Sequence, residues 1–422
     1  MLIRGRSILA CTFTCRAPGT TGFTGGEDVL GWNLLKQVAR FHDVWTLTNG
    51  ADRPSIEQAL KQEPIANVNF CYVDLPRWLR PLVRYQGGIQ LYYFLWQIRA
   101  YFTARSLHKR LRFDLFHHIT YANDWMASFT GALLPIPYIR GPGGGAHQTP
   151  KGFEKEYPLG GRLWEKIRAG GQWLFRHDPF FLKGQNRARA ILVCNQESLS
   201  KIPSRWSHKT HLFPVNGVSS KDLARAAQPK ADDGRFRILS AGTLIRVKGL
   251  GLAIKAFEEF AGKHPQTTFD IIGSGPEEPR LRLMVSRSQL QAQVHFRRAM
   301  PRDQLLGEMA SHDVFLFPSL RDGGGAVVIE AMSVGKPVVC LDAGGPGMHI
   351  TEECGLKVAP RSPTQAVHEL AEALERLYLD KKLRQRLGSA ARRRAEQHYH
   401  WDRLGERLRE IYGHALEREG AG

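Results

Sequence analysis

Short apolar or β-branched runs alternate along the whole chain with longer stretches in which apolar residues recur at helical spacing. This alternation predicts parallel strands joined by crossover helices, because strands of a parallel sheet are buried on both faces. We predict strands at 8–13, 44–47, 68–73, 115–119, 137–139 and 190–194, and a second series at 237–241, 268–272, 294–296, 314–317 and 338–341. Helices are predicted at 31–41, 250–263, 278–288 and 302–311.

The two strand series are separated by residues 215–234, which are rich in Ser, Lys, Ala and Asp and are typical of an interdomain linker. We therefore expect two doubly wound α/β lobes that face a central cleft. Ligands of open α/β sheets bind outside the carboxyl ends of the strands. The chemistry should lie in loops that follow strands.

Length and composition fit a folded protein of two or three domains, with 422 residues, 42% hydrophobic and 23% charged. No apolar run approaches the ~20 residues of a membrane-spanning helix, and the run after Arg6 has the size of a strand, not of a signal peptide. The six cysteines form no C-x-x-C pair and no metal-ligand spacing. We expect buried thiols in a reducing compartment and neither a metal nor another cofactor.

The net charge of +19 calls for an anionic partner, and residues 1–212 carry it, with 28 basic and 14 acidic side chains against 31 and 26 in residues 213–422. No nucleic-acid motif is present, so nucleic acid is not the expected partner. Residues 76–112 contain eight Arg or Lys, no Asp or Glu, and interleaved aromatic residues. Two interpretations stay open: contact with an anionic membrane surface or lipid-linked substrate, or a helix that packs its aromatics inward.

The most specific local feature is the segment 318–332, PSLRDGGGAVVIEAM, which follows the predicted strand at 314–317. Three glycines before a helix leave backbone N–H groups beside its positive end, which predicts an anion-binding loop. Asp322 lies in this loop and Glu330 in the helix, at most ~12 Å apart along a helix axis. That separation suits a sugar at one end and a ribose at the other. The alternative is a tight turn followed by a surface carboxylate.

This segment resembles family 4 glycosyltransferases of the GT-B fold, which carry two acidic residues with seven residues between them; Asp322 and Glu330 match the pair. The resemblance implies that the first carboxylate lies against the transferred sugar and that the second hydrogen-bonds the ribose. It also implies donor binding by the loop that contains Gly323, Gly324, Gly325 and Ala326. Asp322 stands where most members have Glu, so the donor sugar does not follow from the resemblance.

A second match is the segment 241–249, AGTLIRVKG, which resembles the family's Gly-Arg-Leu, three variable residues, then Lys-Gly. In the family the Arg and the Lys neutralise the diphosphate, whose negative charge grows as the glycosidic bond breaks. Lys248 is in register, whereas Thr243 occupies the position of the Arg. Arg246, three residues on, is the candidate to replace it.

Two further segments of the second half match the family near the nucleotide base. Gly273 and Gly275 form a G-x-G loop after a predicted strand, a weak signal by itself. Residues 294–298, VHFRR, correspond to a V-x-F-x-G segment that lines the base pocket. Arg298 replaces its glycine, so the base preference cannot be transferred.

The first half carries three weaker matches. Residues 22–27, GFTGGE, with Gly26 among them, resemble a glycine-rich loop that approaches the donor phosphates and the acceptor. His118 resembles a histidine that many members place near the reacting sugar; two adjacent histidines are equally typical of one core and one surface residue. Residues 140–145, RGPGGG, resemble a loop of a bacterial branch, which lines the acceptor side or only turns the chain.

The resemblance implies two Rossmann-like lobes: an acceptor lobe at 1–213, a nucleotide-sugar lobe at 214–398, and a terminal helix at 399–422 that crosses back. It implies a retaining, metal-independent hexosyltransferase that acts by front-face displacement. The donor would be a nucleotide-diphosphate sugar and the acceptor a glycan or a lipid-linked molecule. Lys248, Asp322 and His118 would act in catalysis.

The implied role is the synthesis of cell-surface polysaccharide or glycoconjugate in the cytoplasm, at the inner face of the membrane. Two alternatives remain. One is a nucleotide-sugar 2-epimerase of the same fold. The other is a catalytically weak sugar-nucleotide-binding protein, which Thr243 and Arg298 favour and Lys248 and Glu330 oppose.

Overall fold

The computed structural model describes residues 5–20, 26–84, 87–145, 147–225 and 234–417. The first lobe is built on a sheet of seven parallel strands: β1 (Ser7–Thr12), β2 (Asp43–Asn49), β3 (Val68–Val73), β4 (Leu115–His118), β5 (Tyr138–Gly143), β6 (Ala188–Val193) and β7 (Thr210–Leu212). Their spatial order is β3-β2-β1-β4-β5-β6-β7.

The second lobe is built on six parallel strands: β8 (Phe236–Ala241), β9 (Thr267–Ile272), β10 (Val294–Arg297), β11 (Val314–Phe317), β12 (Val338–Leu341) and β13 (Gly355–Val358). Their order is β10-β9-β8-β11-β12-β13. Every residue of β11 and β12 is buried, as the uninterrupted apolar runs predict for strands with helices on both faces.

Helices connect the strands and cover both sheets. Those that precede β8 are α1 (Glu27–Ala39), α2 (Arg53–Gln62), α3 (Gly88–Leu111), α4 (Phe129–Leu133), α5 (Leu159–Phe175), α6 (Pro179–Arg187), α7 (Gln196–Ser200), α8 (Ser204–Ser207) and α9 (Ser220–Arg225). Those that follow it are α10 (Leu250–Ala261), α11 (Glu278–Arg287), α12 (Arg302–Ser311), α13 (Ala326–Ser333), α14 (Gly344–His349), α15 (Pro363–Leu379), α16 (Lys381–Tyr399) and α17 (Trp401–Glu417). Short 3₁₀ helices lie at Gly50–Asp52, Arg77–Arg84, Phe153–Glu156 and Arg246–Lys248.

The predicted fold class is confirmed: the chain forms two parallel α/β lobes, and all eleven predicted strands are present. The prediction missed β7 and β13. Both are short edge strands, and the Thr and His of β7 and the Gly and Lys of β13 interrupt the apolar run that marks a central strand. The domain limits at 213 and 398 stay predictions.

The strand order determines where a ligand site can form. In each sheet the direction in which successive strands are added reverses between two neighbouring strands. These are β1 and β4 in the first lobe and β8 and β11 in the second. At such a reversal the following helices lie on opposite faces, which leaves a crevice at the carboxyl ends of the two strands. The loops after β8 and β11 therefore start side by side.

The last helix belongs spatially to the first lobe. Leu404 and Leu408 of α17 share a hydrophobic core with Leu34 and Leu35 of α1. The Tyr412 hydroxyl lies 2.6 Å from Nδ1 of His117 in β4. α17 thus packs on the first lobe, while the division of the chain at 399 stays a prediction.

The two segments that connect the lobes, one at Val218 and one at Tyr399–Trp401, lie against each other. The Val218 amide donates to the Tyr399 carbonyl at 2.8 Å, and the Trp401 amide donates to the Val218 carbonyl at 3.0 Å. A change in the angle between the lobes must therefore bend both segments together. None of the helices that the structure describes has the length and apolar character needed to cross a membrane.

Candidate active site

Lys248 and Asp322 meet at the crevice of the second lobe. Lys248 Nζ lies 2.5 Å from Asp322 Oδ2 and 5.5 Å from the centre of the Phe317 ring, at the end of β11. The two loops touch because Gly249 has a φ of 70°, and a Cβ there would lie 1.9 Å from the Pro318 carbonyl oxygen. Two residues predicted from separate motifs are thus joined in one ion pair.

The second oxygen of Asp322 binds the glycine-rich loop. Asp322 Oδ1 accepts hydrogen bonds from the amides of Gly324 at 3.1 Å and Gly325 at 2.8 Å. The prediction of free loop amides is wrong for these two, because the preceding carboxylate is short enough to turn back and cap them. A ligand would have to displace Asp322 or use the neighbouring amides of Gly323 and Ala326.

Opposing effects act on the protonation of Asp322. Burial favours the neutral acid, but the Lys248 ammonium, followed by the Gly325 and Gly324 amides, outweighs burial and holds the pKa of Asp322 below its usual value. Asp322 is therefore an anion at neutral pH, and the Lys248–Asp322 pair is neutral as a unit.

Glu330 lies in a separate charge network. Its Oε1 is 2.6 Å from Nε of Arg302, and Arg302 Nη1 is 2.5 Å from Oδ1 of Asp222 in α9. Burial raises the pKa of Glu330, while Arg302 opposes the rise. Among the described residues no hydrogen bond or ion pair joins Glu330 to Lys248 or Asp322. The sequence did not predict Arg302, because nothing in a local pattern pairs it with a residue 28 positions away.

The proposed substitute cation also has a partner. Arg246 Nη2 lies 2.8 Å from Glu277 Oε1, and Arg280 Nε lies 2.8 Å from the other oxygen of Glu277. Thr243, at the position of the family's Arg, is exposed. Arg246 thus stands beside the G-x-G loop, and its contact with phosphate stays a prediction.

The G-x-G loop packs on the loop that follows β8. The Leu244 amide donates to the Ser274 carbonyl at 2.9 Å, and a Cβ on Gly273 would lie 1.9 Å from the Gly242 carbonyl oxygen. Gly275 makes a similar close approach to Leu244. The structure thus gives these glycines a role in bringing the two loops together, and their contact with a base stays a prediction.

Of the site residues predicted for the first lobe, the structure describes Gly26 and His118. Gly26 precedes α1 with a φ of 56°, and residues 22–25 of the predicted loop lie outside the described residues. His118 is 2% exposed, and its Nε2 lies 2.6 Å from the Tyr93 hydroxyl. Burial, with Arg140 and His117 nearby, lowers the pKa of His118 to about 3. Contact of His118 Nε2 with a sugar would require breaking the bond to Tyr93, whereas its Nδ1 is buried and has no hydrogen-bond partner among the described residues.

His117 is buried as well, so neither of the adjacent histidines is a surface residue. Its Nε2–H donates to the Gly141 carbonyl at 2.6 Å, which leaves Nδ1 to accept from Tyr412. His117 therefore holds α17 and β5 to the end of β4, a structural role.

Three side chains that the sequence analysis missed hold the glycine loop. Asn195 Nδ2 donates to the Gly323 carbonyl at 3.1 Å, and Asn216 Nδ2 donates to the Gly324 carbonyl at 3.0 Å. His349 Nε2–H also donates to the Gly324 carbonyl, at 2.8 Å. Asn195 follows β6 directly, a position where a cleft residue is expected; Asn216 and His349 carry no comparable signal.

His147 is the imidazole of the first lobe that approaches the glycine loop. A Cβ on Gly323 would lie 2.9 Å from His147 Cε1. Its Nδ1 is buried and has no hydrogen-bond partner within the described part of the chain. Burial lowers the pKa of His147, so the ring is neutral at pH 7. The sequence offered a signal for His147, because only one residue separates it from the RGPGGG segment at 140–145.

An ion pair joins the lobes beside Asp322. Arg321 Nη1 lies 2.5 Å from Oε2 of Glu165 in α5, and each side chain is less than one-fifth exposed. Together with Asn195 and His147, this pair brings the first lobe against the loop that carries Asp322. The Lys248–Asp322 pair and the glycine loop thus lie where the first lobe contacts the second, and an anionic ligand that displaced Asp322 would meet Lys248 and the loop amides.

Residues 222–394 match the sequence profile of the family described as Glycosyl transferases group 1. The second lobe therefore resembles a group 1 glycosyl transferase domain. Lys248, Asp322 and Glu330 all lie in the matched residues.

Curated relatives extend beyond this domain. The glycogen synthase of Mycobacterium tuberculosis is 24% identical over 70% of this chain and 68% of its own length. The D-inositol 3-phosphate glycosyltransferase of Acidothermus cellulolyticus is 32% identical over 51% and 53%. An uncharacterized glycosyltransferase of Methanocaldococcus jannaschii is 25% identical over 91% and 92%. The domain therefore lies in a chain that resembles glycosyltransferases over most of its length.

Solved structures support the same architecture. A glycosyltransferase of Rickettsia africae superposes with a TM-score of 0.67 at 13% identity, over 98% of this chain and 100% of that one. Anabaena HepE, solved with UDP and glucose, superposes with a TM-score of 0.59 at 17% identity, over 97% and 99%. At these identities the likeness establishes the GT-B fold, and it does not extend to substrates.

Proposed function

We propose that the chain is a retaining hexosyltransferase that moves a sugar from a nucleotide-diphosphate donor to a glycan or lipid-linked acceptor. One observation carries the proposal: Lys248 and Asp322 meet where β8 and β11 end, at the strand reversal of a lobe that resembles a group 1 glycosyl transferase domain. An assignment to family 4 and to a bacterial branch, with a role in cell-surface polysaccharide synthesis, belongs to the same proposal.

The charge arrangement suggests a role for each residue of the second lobe. In the absence of ligand, Lys248 is neutralised by Asp322. The diphosphate of an incoming donor would replace Asp322 as the ion-pair partner of Lys248. Asp322 would then accept hydrogen bonds from the sugar. Arg246 would add a second cation, and Glu330, oriented by Arg302, would bind the ribose. Lys248 and the N-terminus of α13 supply positive charge, so a divalent metal is not required.

The proposed reaction is a front-face displacement. The bond between the anomeric carbon and the diphosphate oxygen breaks while the acceptor oxygen forms its bond on the same face of the sugar. The proton of the acceptor hydroxyl passes to an oxygen of the departing diphosphate. Lys248 lowers the barrier because the negative charge that it faces grows as the bond breaks.

The first lobe would supply the acceptor side. Because the His118 ring is bonded to Tyr93, we propose that His147, with an unpartnered buried Nδ1 beside Gly323, is the imidazole that faces the transferred sugar. His118 would keep its predicted role through Nδ1, or through Nε2 in a conformation that frees it from Tyr93. All six cysteines are free thiols, which supports placing the reaction in the reducing cytoplasm.

The first test is a panel of nucleotide sugars screened by thermal unfolding. The panel should include UDP-glucose and GDP-mannose, because HepE was solved with UDP and glucose and a Corynebacterium glutamicum relative is named as GDP-mannose-dependent. A donor at 100 times its Kd adds ~2.7 kcal/mol to the free energy of unfolding. Absence of stabilisation by every member of the panel would refute donor binding.

Product analysis with the stabilising donor then separates the alternatives. A glycoside with unchanged anomeric configuration, together with free nucleoside diphosphate, is the expected result. Release of an epimerised free sugar without any acceptor would identify a 2-epimerase. Binding without turnover over glycan and lipid-linked acceptors would identify a binding protein.

A further inference from the structure

Helix α5 lies on the first lobe with its apolar face outward. Of its 17 residues only Gln172 is buried. Leu163 is 60% exposed, Ile167 56%, Trp173 66% and Leu174 63%. Leu163, Ile167 and Leu174 follow one another at spacings of four and seven, so these three exposed residues share one face of the helix. In a helix held by hydrophobic burial this face would point inward.

The polar face of α5 holds the helix to the protein. Gln172 Nε2 donates to the Gly145 carbonyl at 2.8 Å, and Arg168 Nη2 donates to the His147 carbonyl at 3.2 Å. Glu165 forms the ion pair with Arg321. The polar side chains of α5 therefore support the loop that carries His147 and touch the residue next to Asp322. The apolar face is left for another partner.

Exposed apolar side chains also occur on α6 and α3 of the same lobe. Phe180 of α6 is 40% exposed and packs edge-to-face with Phe129, with 5.3 Å between the ring centres. Phe129 in turn packs edge-to-face with Phe94 of α3 at 5.1 Å. Ile98 and Phe102 of α3 are exposed as well. The predicted inward packing of the aromatics in 76–112 applies to three of them, since Tyr92, Tyr93 and Trp96 are buried.

The charge around this surface is positive. Arg162 and Lys166 on α5 are exposed, and the segment 76–112 has eight basic and no acidic residues. A two-fold dimer through this surface would bring like charges together, because each copy presents the same patch. An anionic lipid bilayer offers both an apolar interior for the outward face and negative charge for the basic residues.

We propose that α5 lies in the interface of an anionic bilayer, with Leu163, Ile167 and Leu174 toward the acyl chains and the exposed Trp173 beside that face. The inference names the surface at which a lipid-linked acceptor would be met, and it rests on the proposed function only for the use of such an acceptor. Because the opposite face of α5 contacts Arg321 and the His147 loop, the membrane would lie next to the acceptor side of the cleft.

The test is co-sedimentation of the full chain with vesicles, without any nucleotide sugar. One set contains phosphatidylcholine with one-third phosphatidylglycerol, and the other contains phosphatidylcholine alone. We expect binding to the anionic set and a loss of ~10-fold or more in the partition coefficient for the double variant Ile167→Asp, Leu174→Asp, because two apolar contacts are replaced by charges. The matched control is Leu283→Asp, Leu379→Asp, which changes exposed leucines of the second lobe.

Equal partition of the wild type and the α5 variant, or equal loss in the control, would overturn the proposal. So would a wild-type dimer in solution that the α5 substitutions convert to a monomer. Brominated lipid should quench the fluorescence of the wild type more than that of Trp173→Phe, a readout that holds even if the double variant misfolds. Donor-induced thermal stabilisation, measured separately on the α5 variant, distinguishes a failure of membrane binding from a failure of the proposed function.

Discussion

The two lobes present opposite kinds of surface. The second lobe brings charged side chains to the ends of its strands, with the pair Lys248–Asp322 and the network around Glu330. The first lobe faces the same loop with two uncharged groups, the amide of Asn195 and the neutral ring of His147, and with one carboxylate, Glu165, which is paired with Arg321. Of the sixteen exposed large apolar side chains among the described residues, fourteen lie between residues 78 and 180 of the first lobe and two in the second.

This difference indicates a division of work. Fixed charges suit a charged nucleotide, whose diphosphate is the same for every sugar donor. Neutral hydrogen-bonding groups and an apolar outer face suit a sugar and a lipid-linked acceptor, which vary among enzymes. The group 1 profile covers residues 222–394, which include Lys248, Asp322 and Glu330; in the proposed function the choice of acceptor would fall to the first lobe.

The largest effect that tests this division is expected at Lys248. Lys248→Ala removes the cation that faces the departing diphosphate, and kcat should fall ~10²- to 10³-fold. The measurement is steady-state turnover with the donor found in the screen. Lys263→Ala, which removes an exposed lysine paired with Glu375 on the same lobe, is the matched control and should leave kcat unchanged. Full turnover by Lys248→Ala would mean that the diphosphate binds elsewhere.

Acid should destabilise both lobes through buried histidines. Burial lowers the pKa of His117 in the first lobe and of His349 in the second to about 4, against about 6.5 when unfolded. Between pH 6.5 and 4 the unfolded chain binds protons that the folded chain does not, so the free energy of unfolding falls as the pH falls, by up to ~3 kcal/mol per histidine.

Urea unfolding at a series of pH values measures this slope. His117→Asn and His349→Asn should each flatten it, whereas His368→Asn, at an exposed position, should not. A slope that only one of the two buried variants changes would show that the lobes differ in acid stability. A slope that neither changes would contradict the assignment of the neutral histidines.

A smaller effect is expected at Glu330. Glu330→Gln removes the charge from hydrogen bonds worth roughly 1.5 to 3 kcal/mol, so donor affinity should fall ~10- to 100-fold. Titration calorimetry with the identified donor measures it, and Glu375→Gln, at an exposed ion pair, is the control. Unchanged affinity would mean that Glu330 acts only as an ion-pair partner in the network with Arg302 and Asp222, and that the ribose binds elsewhere.

Local patterns were sufficient for much of the fold. The runs VFLF and VVCL predicted the central strands β11 and β12 with their observed ends, because burial on both faces demands uninterrupted apolar residues. The edge strand β7 was missed because it is three residues long and two of them, Thr210 and His211, are polar. The loops of Lys248 and Asp322 were predicted as a site because each follows a strand, and carboxyl ends of parallel strands share one edge of a sheet.

The sequence by itself determined the alternation of strands and helices, the two lobes and the loops that carry charge, since each depends on neighbours within a few residues. Only the tertiary structure decided that Asp322 caps the amides of its own loop, that Glu330 pairs with Arg302, that Tyr93 holds His118, and that α5 turns its apolar face outward. These outcomes depend on which distant groups compete for the same partner. That competition is resolved by packing and charge across the assembled fold, where residues far apart in the chain first come within hydrogen-bonding distance.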